Sequence, residues 1–225
     1  MDEVDIKGVL FDLDGTLLNT LDDLADAMNY VLQRLKCPVH PVEAYRYFVG
    51  DGVDMLVKRA LPPDDGNEKL FAKVKKEFLK RYQQYWNVKT KPYDGIGEML
   101  DALQAENLFL AILSNKPHLI TGEVVRHYFG TRHFITCMGY GIFPKKPDPE
   151  GALYIAASMG IAPENCLYVG DTATDMRTAV AAGMPGVGVT WGFRDEKELR
   201  ENGARWIVDK PSEVVAIVND CVCAA

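Results

Sequence analysis

The stretch "GVLFDLDGTLLNT", residues 8–20, begins as an apolar run and ends on two carboxylates, Asp12 and Asp14. The run predicts a strand buried on both faces, because its side chains stay apolar without alternation. Unpaired charge is costly to bury, so two carboxylates at the exit of such a strand imply a bound cation or a chemical task. While the chain remains extended, Asp12 and Asp14 share one side, and Gly15 and Thr16 then let it turn. A calcium loop of the EF-hand type does not fit, since it needs Gly and Glu where this chain has Leu17 and Asp23. Two solvated turn carboxylates would explain this segment alone, and that reading weakens with each further segment.

Three more apolar, β-branched segments resemble the first: "LFLAILSN" at 108–115, "CLYVGD" at 166–171 and "VGVTWG" at 187–192, with a fifth, "RWIVD", at 205–209. Between them run helical patterns at 96–106, 119–129, 151–160, 173–183 and 212–220. Strand alternating with helix predicts an α/β fold, a doubly wound, Rossmann-like parallel sheet that binds ligands at the carboxyl ends of its strands. Asp12 and Asp14, Ser114 and Asn115, Asp171 and Thr190 all fall at those ends. From Leu17 to about Val88 no strand is expected; helices are predicted over 21–35, around 41–61 and over 68–86, separated at Cys37-Pro38 and at 62–66. The expected organisation is a core of residues 1–16 and 89–225 with a helical cap, 17–88, inserted after the first strand.

The 225 residues are 48% hydrophobic, which suffices for a large core. With 25 Lys and Arg against 32 Asp and Glu, the net charge of −7 argues against nucleic acid or an anionic membrane as partner. The five cysteines, at 37, 137, 166, 221 and 223, have neither the density nor the spacing of a disulfide framework or zinc site. Cys221 and Cys223 read as ordinary tail residues. The acidic start "MDEVDIKG" is unlike a signal peptide, and no apolar run reaches membrane-spanning length, so a cytoplasmic protein is expected.

The segment "YVGDTATDM" adds Asp171 and Asp175; if a helix opens there, Asp175 would also suit its first turn. Several carboxylates in one crevice repel one another, and Mg²⁺ with phosphate oxygens is the hard cation that suits them. Ser114 and Asn115 supply a hydroxyl, an amide and main-chain N–H groups for a phosphate. Lys146 in "FPKKPDP", directly before Pro147, is the cation expected beside it, whereas Lys145 and Lys116 read as solvent-facing charge.

Together "DLDGTL", "SN" at 114–115, "KKPDP" and "GDTATD" resemble, in order, the four motifs of the haloacid dehalogenase superfamily of phosphatases. The resemblance spans nearly the whole chain, and its combination of motifs is specific although each alone is weak. It implies that Asp12 is the nucleophile that forms an aspartyl phosphate and Asp14 the general acid/base. It also implies that Asp12, the main-chain carbonyl of Asp14 and Asp171 hold Mg²⁺ with Asp175 in support, while Ser114, Asn115 and Lys146 bind phosphate. The dehalogenases themselves carry Tyr where this chain has Asp14, and the 17–88 insert resembles the C1-type cap.

A cap over the strand ends is where substrate choice belongs. "YFVGDGVDMLVKRAL", 47–61, offers a mobile loop at Gly50, Asp51 and Gly52 and resembles the matching segment of phosphoglycolate phosphatases, as do "PYDGI" and "GARWIVDKPSEV". A small phosphorylated metabolite is the expected partner, acted on by a monomer or homodimer. Arg46, Lys58 and Arg59 are candidates to meet a substrate carboxylate, although surface cations are usually solvated. Pyrophosphatases, 5′-nucleotidases and sugar-phosphate phosphatases or mutases of the same fold are the alternatives. A receiver-like phospho-switch also uses clustered aspartates, but needs neither a lid nor an acid/base, and a binding protein would not need every motif position filled.

Overall fold

The computed structural model of the protein describes residues 5–63, 67–130 and 134–222. Its first elements are β1 (Gly8–Phe11), β2 (Leu18–Asn19), α1 (Leu21–Arg34), α2 (Tyr45–Phe48), α3 (Val53–Ala60), α4 (Glu68–Tyr85) and β3 (Lys91–Pro92). There follow α5 (Ile96–Ala105), β4 (Phe109–Pro117), α6 (His118–Phe129), β5 (Thr136–Tyr140), α7 (Glu150–Met159), β6 (Cys166–Gly170) and α8 (Ala173–Ala182). The chain closes with β7 (Gly186–Val189), α9 (Glu196–Glu201), β8 (Trp206–Val208) and α10 (Pro211–Val222).

The six-stranded sheet has the order β5-β4-β1-β6-β7-β8, and every pairing in it is parallel. Both faces are covered, which is why β1 reads as an unbroken apolar run: Val9 and Phe11 pack in one cluster with Met99, Leu103 and Val214, and Leu10 packs in another with Ile155, Tyr168 and Ala179. From β1 the chain winds outward through β4 to β5, then returns to β6 on the other side of β1. The strand order therefore reverses between β1 and β6, where a doubly wound sheet opens its ligand crevice.

Helices α1 to α4 lie between β1 and β4 in sequence and enclose their own apolar cluster, including Met28, Leu32, Tyr45, Val57, Val74 and Phe78. The two chain crossings pair as a short antiparallel ribbon, Leu18 with Pro92 and Asn19 with Lys91. Leu17 and Leu18 pack with the sheet's own cluster. Beyond the ribbon, Asp23 in the first turn of α1 accepts the main-chain N–H groups of Val88, Lys89 and Thr90, at 3.0, 3.0 and 2.8 Å, and the Thr90 hydroxyl at 2.8 Å. One buried carboxylate thus ties the outgoing crossing to the returning one.

The structure corrects several local expectations. Sequence patterning finds five of the six strands of the sheet but not β5, a half-buried edge strand in which Gly139 and Cys137 dilute the apolar signal. It also misses the two-residue β2 inside 17–88 and the short α9, and it merges α2 and α3, which the Gly50–Gly52 loop separates. Cys221 is part of α10 and packs half-buried against the core rather than in a loose tail; Cys223, residues 64–66 of the 62–66 break and the first four residues lie outside the described residues. Cys37, Cys137, Cys166 and Cys221 are free. No helix among the described residues is long and apolar enough to cross a membrane.

Candidate active site

Asp12 leaves β1 with its N–H still donating to Val169 O at 2.9 Å, so the first carboxylate is carried on the last rung of the ladder with β6. Gly15 then turns the chain at φ +88°, in the left-handed region that favours glycine, and a Cβ there would collide with the Asp171 carboxylate. That close approach lets the Thr16 hydroxyl donate to Asp171 Oδ1 at 3.0 Å, while the Phe193 N–H donates to Oδ2 at 2.8 Å. Asp175 opens α8 and accepts from the Thr172 N–H and hydroxyl at 3.1 and 2.7 Å, as a first-turn carboxylate should, yet its other oxygen lies 2.7 Å from Lys146 Nζ. Lys146 Nζ also lies 2.9 Å from Asp12 Oδ1, an ion pair without hydrogen-bond alignment. Asp175 is therefore both helix cap and part of the site.

Asp12, Asp171 and Asp175 are all buried, and one oxygen from each lies within 4.8 Å of the others. Burial pushes the Asp12 carboxyl up to about 7 against the pull of Lys146, and burial with the Asp175 and Asp12 charges holds Asp171 well above the ordinary carboxylate range. Three desolvated carboxylates against one ammonium form an electrostatically unbalanced set of hard oxygen donors. A divalent cation fits it: the charge it brings is the charge the cluster lacks.

Asp14 faces elsewhere. Its two oxygens lie 2.5 and 2.7 Å from Lys116 Nζ, which also donates to Tyr82 Oη, 3.0 Å away on α4. Lys116 is thus buried, 6% exposed, and not the solvent-facing charge expected of it; its pKa is raised because the Asp14 pairing outweighs desolvation, the largest single influence. Lys145 is likewise engaged, with Nζ 2.8 Å from Asp54 on α3. Neither pairing leaves a local signal, because Lys116 meets partners 102 and 34 residues away.

Ser114 is buried beside the cavity at this edge, and its Oγ accepts from the Lys116 N–H at 3.2 Å. The Asn115 side chain is spent on main chain: it donates to Gly50 O and Lys146 O, each at 3.1 Å, and accepts from the Lys146 N–H at 2.8 Å. The Gly50–Gly52 loop accordingly rests on the core, where Asp51 accepts from the Thr174 hydroxyl at 2.5 Å and pairs with Arg59. Gly52 is at φ +84°, and a Cβ there would come within 3.3 Å of Asn115 O. Thr190 does not join the site, since its hydroxyl donates to Val208 O at the end of β8 and to Asp209 just past it. The loop just past it contributes instead, through Phe193.

Arg46, Lys58 and Arg59 do not border the cavity that Asp12, Asp14 and Ser114 line. Arg59 holds Asp51 and Phe48 O, Lys58 is exposed, and Arg46 donates to Gly192 O and Phe193 O at 2.5 and 3.3 Å. Arg194, from the same core loop, reaches back to Arg46 O and, at 3.0 Å, to Val49 O. Two arginines thus clasp the helical insert and the core reciprocally, each holding the other side's main chain.

Comparison with known proteins agrees with this geometry. Residues 9–189 match the family described as haloacid dehalogenase-like hydrolase. A phosphoglycolate phosphatase of Thiobacillus denitrificans is 32% identical over 95% of this chain and 96% of its own length. That of Escherichia coli K12 is 34% identical over 84% of this chain and 83% of its own. A crystal structure described as a predicted phosphoglycolate phosphatase from Haemophilus somnus superposes with a TM-score of 0.88 at 28% identity, covering 95% of this chain and 98% of that one. Matched by the family over residues 9–189 and by a relative 32% identical over 95% of its length, the chain belongs to the haloacid dehalogenase-like hydrolase family.

Proposed function

We propose that the protein is a Mg²⁺-dependent phosphate monoester hydrolase that acts through an aspartyl phosphate on Asp12, with 2-phosphoglycolate as its substrate. The observation that carries the reading is the convergence of Asp12, Asp171 and Asp175 around Lys146 at the sheet's reversal point. Asp12, the Asp14 carbonyl and Asp171 would hold the metal, with Asp175 in support, and the bound cation would neutralise phosphoryl charge so that a carboxylate can approach it. Lys146 lends its ammonium to both Asp12 and the phosphoryl oxygens, and Ser114 with the Asn115 N–H binds them from β4. Asp14 borders the same cavity, positioned to protonate the leaving alcohol and then take a proton from the water that frees Asp12.

The cavity supports a small substrate. Its volume is about 50 Å³, room for a few waters, and the cap side is apolar, with Leu56, Phe78 and Leu79. A leaving group of two carbons suits that space. Residues 17–88 act in this reading as the cap over a core of 1–16 and 89–225, the Gly50, Asp51 and Gly52 loop contributing to substrate choice, in a cytoplasmic enzyme working alone or as a homodimer.

A panel of phosphate monoesters assayed for kcat/KM with Mg²⁺ tests the assignment. Phosphoglycolate is expected to rank first and p-nitrophenyl phosphate to turn over steadily. A nucleotide or sugar phosphate ranking tenfold higher would refute the substrate. A single stoichiometric phosphorylation without turnover would refute the hydrolase and favour a receiver-like switch.

A further inference from the structure

The chemistry proposed above gives Lys116 no contact with the substrate, yet its position suits one. Among the described residues that border the cavity, Lys116 is the sole lysine or arginine; Lys146 is not part of that wall, and Arg46 and Arg59 are committed elsewhere. Apolar side chains make up most of the remaining wall. A carboxylate brought into such surroundings without a cation pays a desolvation penalty that nothing offsets.

Connectivity then fixes where the carboxylate must go. In a phosphorylated 2-hydroxy acid a single carbon separates the ester oxygen from the carboxylate. Asp14 has to reach the ester oxygen in order to protonate it, and Lys116 Nζ lies 2.5 and 2.7 Å from the Asp14 oxygens. The ammonium next to Asp14 is therefore also next to the carboxylate. Tyr82 completes the arrangement from the cap: its Oη accepts from Lys116 at 3.0 Å and keeps its own proton, since burial pushes that phenol up to about 12. The hydroxyl can thus donate to an oxygen that arrives between them.

We propose that Lys116 Nζ, assisted by the Tyr82 hydroxyl, binds the carboxylate of the substrate's leaving group, making these two residues the determinants of acidic over neutral phosphate monoesters. The proposal rests on the phosphoglycolate reading and adds the residues that enforce it.

The test compares kcat/KM for 2-phosphoglycolate with that for ethyl phosphate, which has a methyl group in place of the carboxylate. Any loss from a displaced Asp14 slows both substrates and cancels in the ratio. Lys116→Met is expected to lower the phosphoglycolate-to-ethyl-phosphate ratio by about 10²-fold, the usual scale for truncating one partner of a buried charge pair. Tyr82→Phe should lower it by about tenfold, as loss of one hydrogen bond to a charged group does. Should Lys116→Met fail to fold, Lys116→Gln, which still donates to Asp14 without charge, reads the same ratio. A folded Lys116 variant whose ratio matches wild type overturns this proposal alone. A wild-type enzyme that does not prefer phosphoglycolate to ethyl phosphate overturns the substrate reading and this proposal with it.

Discussion

Replacing Asp23 by Ala should destabilise the protein more than any loss at its exposed ion pairs, and the structure sets the size. The carboxylate accepts from four donors across the two chain crossings, but only two of them, the Thr90 N–H and hydroxyl, are buried. Val88 and Lys89 are exposed, so water can satisfy their N–H groups once the carboxylate is gone. Two buried donors without partners cost about 1–3 kcal/mol each, giving about 2–6 kcal/mol in all. For a chain of this length that lowers the melting temperature by about 5–20 °C. Asp26→Ala is the control. It breaks an ion pair to Lys89 in the same crossing, 2.8 Å long but 51% and 55% exposed, and water screens such a pair so that it adds little to stability. Thermal unfolding followed by circular dichroism reads both variants side by side. An Asp23→Ala midpoint within 2 °C of the Asp26→Ala midpoint would refute the claim that this carboxylate fastens the crossings.

Asp14→Asn should lower kcat by about 10²–10⁴-fold with phosphoglycolate while leaving the protein able to accumulate phosphate on Asp12, whereas Asp12→Asn should accumulate none; intact-protein mass spectrometry after quenching distinguishes them. Gly15→Ala should abolish activity, because its Cβ would collide with the Asp171 carboxylate at a backbone angle that alanine disfavours; near-normal kcat/KM would count against the tight fit of that turn. Without metal, Asp12 holds its proton more tightly folded, about 7, than unfolded, 3.8, so its contribution is fully present below pH 4 and is lost as pH rises through about 7. The melting temperature of the chelator-treated protein should therefore fall more between pH 5 and 8 in wild type than in Asp12→Asn. Added Mg²⁺ should raise the wild-type midpoint more at pH 8 than at pH 5, since it requires the carboxylates deprotonated. Equal pH dependence in the two proteins would remove Asp12 as the source.

What could be read from sequence and what could not divide along physical lines. Asp12 and Asp171 were legible because each ends an apolar run that the parallel sheet itself imposes, and Lys146 because prolines flank it, Pro147 directly after it. Strand β5 was not, since an edge strand is half-buried and needs no continuous apolar run. Lys116, Tyr82 and Asp23 were invisible for another reason: their partners lie 34 to 102 residues away, and such pairs leave no periodicity in the chain. Thr190 shows the converse failure, a polar residue at a strand end that turns to its neighbouring strand instead of the crevice.

The arginine clasp carries an evolutionary implication. Arg46 and Arg194 grip peptide oxygens at Gly192, Phe193, Val49 and each other's segment, and a peptide oxygen persists whatever side chain is attached. Descendants of this chain can vary the side chains of the helical insert while inheriting its fastening unchanged. Only the two guanidinium groups are irreplaceable to that fastening, so a changed side chain at Val49 or Phe193 leaves the gripped oxygen in place where a change at 46 or 194 does not; Gly192 is held for another reason, since a Cβ there would collide with Asp171 and the Gly15 carbonyl.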